Sequence, residues 1–204
     1  MVKTNLNKIL AAGIALAVIA AAVVAALSPP EQQLGDFAKL IYVHAGLVFV
    51  SLLLVVAVGA LGLLFILTNR KVFYSWSLAA KPVTLIFWAV YLGTSILAMK
   101  LTWNEIIWNE PRFLLAASVF LILCSLYLVS LAVNAPKVVA SLNLATAVVV
   151  WWLVAKVSAV MHPTSNPIRT SSSGLIKLDS LLIFLFIMAA AVLSVTLVKR
   201  LQRG

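Results

Sequence analysis

The sequence is short of the residues that most metal and redox sites use. It has one cysteine, Cys124, and two histidines among its 204 residues. A single cysteine excludes an internal disulfide, a CxxC redox pair, a cysteine-based metal cluster and a CxxCH haem-attachment motif. The chain also has no Walker motif, so any ATP hydrolysis would have to come from a partner.

Charged residues are scarce as well, and acidic ones most of all. Asp, Glu, Lys and Arg make up 10% of the chain, whereas 64% of it is apolar. Soluble domains have roughly 25% charged and 45–50% apolar residues. The composition therefore predicts an integral membrane protein, most of which lies within the lipid bilayer.

Basic residues outnumber acidic ones by 15 to 5, which gives a net charge of +10. They are spread among short polar connections, and neither a basic stripe nor an RNA-binding motif is present. This distribution is typical of the positive-inside rule, under which Lys and Arg concentrate in cytoplasmic loops. Nucleic acid is therefore not expected as a partner.

Six apolar stretches are long enough to cross a bilayer, since a spanning helix needs about 20 mainly apolar residues. The first follows the basic segment MVKTNLNK, but its apolar run is longer than that of a signal peptide, so we expect a retained span. Pro29 and Pro30 should end that helix. The sequence thus predicts an all-α integral membrane protein with one six-span domain over residues 1–204. The expected spans are about 8–28, 40–68, 80–100, 112–133, 138–161 and 175–198.

The charged residues alternate between connections in a way that predicts sidedness. Both ends of the chain, the second-to-third connection and the fourth-to-fifth connection carry Lys and Arg but no acid. The positive-inside rule therefore places both termini in the cytoplasm and the other three connections outside, in a multi-pass protein of the cell (plasma or inner) membrane. All five acidic residues lie in or beside those outward connections: Glu31, Asp36, Glu105, Glu110 and Asp179.

The two histidines fall near the same predicted membrane face. His44, in LIYVHAG, opens the second span, and His162, in SAVMHPTSN, follows the fifth. They could be two unrelated interfacial residues. Alternatively, they could be the two axial ligands of a haem iron, for which imidazole nitrogen is well suited.

The outward segment TWNEIIWNEPRF concentrates aromatic and polar side chains between the third and fourth spans. Trp103, Trp108 and Tyr42 could simply belong to the aromatic belt that forms at membrane interfaces. The belt does not explain why Glu110 and Arg112 accompany the two indoles. A flat indole face beside an arginine could cradle a planar macrocycle that carries two propionates.

Three segments, in the expected order, resemble the tryptophan-rich "WWD" haem-handling family of cytochrome c biogenesis (CcmC/CcsA), and most closely its small six-span CcmC branch. YVHAG is similar to the family's Tyr-x-His segment at the start of the second span. TWNEIIWNEPRF is similar to its tryptophan-rich loop, although Glu110 stands in place of the family's aspartate and the tryptophan run is thinner. MHPTS is similar to its His-Gln-Pro-like segment after the fifth span.

The resemblance implies a carrier rather than an enzyme, with no catalytic residue. Such a protein binds b-type haem non-covalently at the extracytoplasmic face and delivers it to a haem chaperone (CcmE-like) during cytochrome c maturation. Subunits of an ABC transporter and a small membrane adaptor are the further partners that the resemblance suggests. Larger relatives join haem to cytochromes with extra spans and a large outward domain, and this chain has neither.

The resemblance also implies the residues of the haem site. The two imidazoles would ligate the iron from opposite faces, and the two indoles would shield one edge of the macrocycle. The guanidinium would neutralise a propionate, and the carboxylate of Glu110 would orient that guanidinium. The implied cofactor-binding residues are His44, His162, Trp103, Trp108, Glu110, Arg112 and Tyr42.

Some assignments and functions remain open from the sequence. Arg169 and Lys177 could contact a propionate or the chaperone, or could be plain interfacial charges. The chain could also be a haem- or quinone-associated anchor subunit of a respiratory complex. A cofactor-free permease subunit is the third alternative, although its spans should then carry polar or broken segments near the midplane.

Overall fold

The structure, a computed structural model, describes residues 2–157 and 167–202. Apart from one isolated bridge between Glu31 and Gly35, the regular structure of these residues is helical. The helices in chain order are α1 (Val2–Leu27), α2 (Ala38–Thr68), α3 (Lys71–Trp103), α4 (Pro111–Ala132), α5 (Pro136–Lys156), α6 (Pro167–Thr170) and α7 (Gly174–Leu201).

Every helix except the four-residue α6 is long and apolar enough to cross a membrane. This confirms the all-helical class and the six apolar spans expected from the sequence. The helix α3 begins at Lys71 rather than near 80, because the amphipathic stretch KVFYSWSLAA continues the helix beyond its most apolar part. The helix α5 ends at Lys156, before the expected end at 161; residues 158–166 lie outside the described part of the chain.

Local sequence accounts for most helix ends. The helix α1 stops just before Pro29 and Pro30, as expected. Pro111 and Pro136 occupy the first positions of α4 and α5, where a missing backbone N–H costs nothing. At the ends of α2 and α3, Asn69 and Asn104 take the left-handed conformation, with φ of 52° and 57°, which asparagine tolerates better than most residues.

The helix α2 is the centre of the bundle and packs against α1, α3, α5 and α7. Small residues let the helices approach closely, as is typical of packing in membranes. A Cβ built on Gly59 would lie 2.5 Å from the Cβ of Ala147, and one on Gly62 would lie 2.7 Å from the carbonyl oxygen of Ala140. The α2–α5 contact therefore depends on the absence of a side chain at both glycines.

Successive long helices are antiparallel, so their connections gather at two ends of the bundle. Asn7, near the start of α1, accepts a hydrogen bond from Arg200, near the end of α7. We call this end, with the connections 69–70 and 133–135, the basic end. The opposite end, which we call the acidic end, carries the connections 28–37, 104–110 and 171–173 and all five acidic residues of the chain.

Candidate functional site

His44 lies in the second turn of α2, near the acidic end, and its half-buried ring faces α3. Its Nδ1 is 3.1 Å from the hydroxyl oxygen of Thr94. Its ring centroid is 5.4 Å from that of Tyr91, with the two planes tilted by 46°. Tyr91 and Thr94 are three residues apart, so they lie on the same face of α3 and hold the imidazole together.

The hydrogen bonds around Thr94 indicate which nitrogen of His44 carries the proton. The Thr94 hydroxyl oxygen lies 2.8 Å from the backbone carbonyl oxygen of Tyr91. A carbonyl can only accept, so the single hydroxyl proton of Thr94 points to Tyr91, and Thr94 must accept from His44 Nδ1. In the neutral imidazole, Nε2 is then the unprotonated nitrogen, which is the form that binds a metal.

An aromatic chain extends from His44 toward α4. The ring of Tyr91 meets that of Trp88 edge to face, with centroids 5.5 Å apart. Trp88 is buried, and its indole N–H donates to the carbonyl oxygen of Ala116 in α4 at 2.8 Å. The histidine is therefore braced by a group that joins α2, α3 and α4.

Glu110 is buried at the start of α4, with 2% of its surface exposed. One carboxylate oxygen accepts the backbone N–H of Phe113 at 2.7 Å, which is the geometry of a helix N-cap. Glu110 and Arg112 also interact electrostatically with the hydroxyl of Tyr91. The start of α4 therefore lies beside the group that holds His44.

Arg112 has an exposed side chain one turn or less from this cap. The family resemblance implies an ion pair between Arg112 and Glu110, and that pair stays a prediction. The ion pair that the structure shows within residues 2–157 and 167–202 joins Lys39 and Asp36, at 2.9 Å. The exposed guanidinium is available to an anionic group that approaches the acidic end.

The two tryptophans of the loop differ in their surroundings. Trp103 is the last residue of α3 and is partly buried. Trp108 is 60% exposed and rests edge to face on Phe113, with ring centroids 5.8 Å apart. An exposed indole at this position suits either an interfacial belt or the edge of a bound macrocycle.

Tyr42 lies on another face of α2, in the wall of a groove of about 650 Å³ between α2, α5 and α7. The groove wall is mainly apolar, with Phe49 and Trp151 among its aromatic side chains, and Lys177 contributes an ammonium group. This groove lies on a different side of α2 from His44: Phe49, which lines it, is about 140° around the helix axis from the histidine. The structure therefore separates Tyr42 and Lys177 from the surroundings of His44.

The structure covers only part of the predicted site. His162 and the side chain of Arg169 lie outside the described residues, so the structure leaves the proposed second iron ligand as a prediction. Tyr91, Thr94 and Trp88 were not identified from the sequence. Their spacing places them on one face of α3, but this spacing could identify them only if it were known that this face meets His44.

The acidic end brings together an imidazole whose Nδ1 is hydrogen-bonded to Thr94, an exposed indole and an exposed guanidinium. No group of three or more His, Cys, Asp and Glu side chains that could hold a metal ion occurs among the described residues.

Comparison with protein-family models gives no match to this chain. Comparison with curated proteins also gives no match. The similarity to the tryptophan-rich haem-handling family therefore depends on the three short segments described above.

Proposed function

We propose that this protein binds b-type haem non-covalently at the extracytoplasmic face of a cell membrane and delivers it to a haem chaperone during cytochrome c maturation. One observation carries the proposal. His44 is held by Thr94 through Nδ1, at the end of the bundle where Trp108 and Arg112 are exposed.

The separation of charge between the two ends supports the outward placement of this site. The basic end carries Lys and Arg in or beside its short connections and at the chain termini, whereas the acidic residues gather at the other end. Under the positive-inside rule, the basic end and both termini face the cytoplasm. His44 and the loop 104–110 then lie at the extracytoplasmic face.

The side chains of the acidic end have distinct roles in this proposal. His44 and His162 would hold the haem iron through their imidazole nitrogens. Arg112 pairs with a propionate, since guanidinium and carboxylate form strong charge-assisted hydrogen bonds. The indoles of Trp108 and Trp103 cover an edge of the macrocycle and exclude water. Haem supplies the iron centre that accepts the imidazole nitrogens.

Delivery requires that the protein release what it binds. The single cysteine, Cys124, lies within α4 and no CxxCH motif is present, so a thioether link is excluded. The haem chaperone is the proposed acceptor, with ABC transporter subunits and a small membrane adaptor as possible partners. Apomyoglobin can serve as a test acceptor, and we expect it to extract haem from the purified protein.

The direct test is the absorption spectrum of the protein purified after haem-replete expression. We expect a Soret band and a pyridine haemochrome of b type. His44→Ala and His162→Ala should each weaken haem retention or change the spin state, whereas Tyr74→Phe, in the part of α3 near the basic end, should leave the spectrum unchanged. A native protein without a Soret band would overturn the proposal.

The groove beside Tyr42 favours a second candidate, a quinone-associated anchor subunit. Its volume of about 650 Å³ lies in the range of ligand pockets, roughly 300–1,000 Å³. Tyr42, Ser180 and Lys177 would contact a polar ring, and the apolar wall would contact a chain. Solvent extraction and chromatography of the purified protein distinguish the two, since this candidate requires a stoichiometric quinone and no haem.

A further inference from the structure

Lys81 of α3 is a charged residue buried between four helices. Only 6% of its surface is exposed, and its ammonium group has no hydrogen-bond partner in the described part of the chain. It lines a cavity of about 20 Å³ together with residues of α2, α4 and α5, among them Tyr127 and Asn143.

The position of the cavity along the helices places it inside the hydrocarbon region. The 22 residues of α4 and the 21 of α5 give lengths of about 33 and 32 Å, close to the hydrocarbon thickness of about 30 Å. Tyr127 and Asn143 lie roughly 7 and 11 Å from the basic end along these helices. A lysine at this depth normally extends its side chain toward the nearer interface, but the side chain of Lys81 is buried between the helices.

The protein has no acidic residue that could neutralise this lysine. All five Asp and Glu residues lie at the acidic end. Glu105, beyond the far end of α3, is roughly 36 Å from Lys81 along the helix axis. Because an unpaired charge in hydrocarbon is costly, an ammonium at this position needs a counter-charge that no Asp or Glu side chain supplies.

The polar groups around the cavity show which of them can bind a ligand. The hydroxyls of Thr84 and Thr146 donate to carbonyl oxygens of their own helices, at 2.9 and 2.8 Å. One N–H of the Asn143 amide donates to Ser77, which leaves its second N–H. The ammonium of Lys81, with three N–H donors, is therefore the main group that can bind an anion here.

We propose that this cavity binds a small monovalent anion, such as chloride, against the ammonium of Lys81. A cavity of about 20 Å³ admits one water-sized species and no larger organic group. The anion neutralises Lys81 and links α3 to α4 and α5 through Tyr127 and Asn143. This site is independent of haem binding, because it lies near the opposite end of the bundle from His44.

The test is the thermal unfolding of the detergent-purified protein, followed by tryptophan fluorescence in chloride and in gluconate at equal ionic strength. Binding to the folded state should raise the midpoint by about 3–6 °C for each tenfold increase in chloride above half-saturation. Lys81→Met should abolish this chloride dependence. Lys71→Met removes an exposed lysine near the same end of α3 and should retain it.

Two results would overturn the proposal. One is an equal midpoint for the native protein in chloride and gluconate, which is expected if Lys81 is a neutral amine bound to water. The other is the same chloride effect in Lys81→Met. If Lys81→Met does not fold, the ³⁵Cl line width measured with the native protein decides. Broadening that added bromide reverses would support the site, whereas a line no broader than that in detergent alone would refute it.

Discussion

The imidazole of His44 and the hydroxyl of Thr94 lie 3.1 Å apart across the contact between α2 and α3. Because the Thr94 proton points to the carbonyl of Tyr91, this hydrogen bond keeps the His44 proton on Nδ1. A partner of this kind fixes the orientation and tautomer of a metal-binding histidine and raises its basicity. Thr94 is thus a positioning residue for the proposed haem ligand.

Replacing Thr94 by valine keeps the shape of the side chain and removes the acceptor for Nδ1. We expect Thr94→Val to lower haem affinity by about 10- to 100-fold, the usual effect of losing such a partner. Haem titration followed by the Soret band measures the change. Thr94→Ser, which restores the hydroxyl, should recover most of the affinity.

The tautomer can be measured without haem. In ¹⁵N spectra of the apoprotein, His44 should be protonated at Nδ1, and Thr94→Val should increase the population protonated at Nε2. An Nε2-protonated native ring would refute the assigned role of Thr94 while leaving haem binding open. A normal haem affinity in Thr94→Val would refute it as well.

Glu110 gives a prediction about stability, because its carboxylate caps α4 while almost fully buried. Glu110→Ala should lower the free energy of unfolding by about 0.5–2 kcal/mol, the range for loss of an N-cap. The thermal midpoint would then fall by roughly 1–8 °C for a chain of this length. The exposed Glu105, in the same loop, is the matched control, and Glu105→Ala should leave the midpoint unchanged.

A fall in midpoint confined to Glu110→Ala would establish a structural role for the carboxylate that is separate from haem. Equal midpoints for both variants would mean that the cap contributes little. Haem affinity measured on the same samples shows whether Glu110 also acts through Arg112, as the family resemblance implies.

The number of long helices and several of their ends followed from the sequence, because the bilayer sets the length of an apolar span and proline sets some of its ends; the start of α3 and the end of α5 did not. Pro29, Pro111 and Pro136 lie at or next to helix ends in the structure. The concentration of acidic residues at one end was also visible in the sequence, because it depends only on which connection each residue occupies. His44 and the loop with Trp108 could be placed near that end for the same reason.

The faces of the helices could not be predicted in the same way. In a membrane, the side toward lipid is as apolar as the side toward protein, so hydrophobic periodicity does not indicate which residues meet. Nothing in the sequence therefore indicated that Thr94 faces His44, or that Tyr42 lies on a different face of α2. Burial of Lys81 was also missed, since a lysine near a span end normally extends to the interface.

The close contact of α2 with α5 gives the last prediction. Gly59→Ala would bring a methyl group to 2.5 Å from the Cβ of Ala147, so the helices must separate. We expect a loss of about 1–3 kcal/mol in unfolding free energy, typical of overpacking. Gly93→Ala in α3 is the matched control, because its new Cβ meets no atom within 4 Å; this change should stabilise the protein by about 0.4–1 kcal/mol. Thermal unfolding of both variants in one detergent tests the contact, and a Gly59→Ala midpoint at or above that of Gly93→Ala would show that α2 and α5 do not pack this closely.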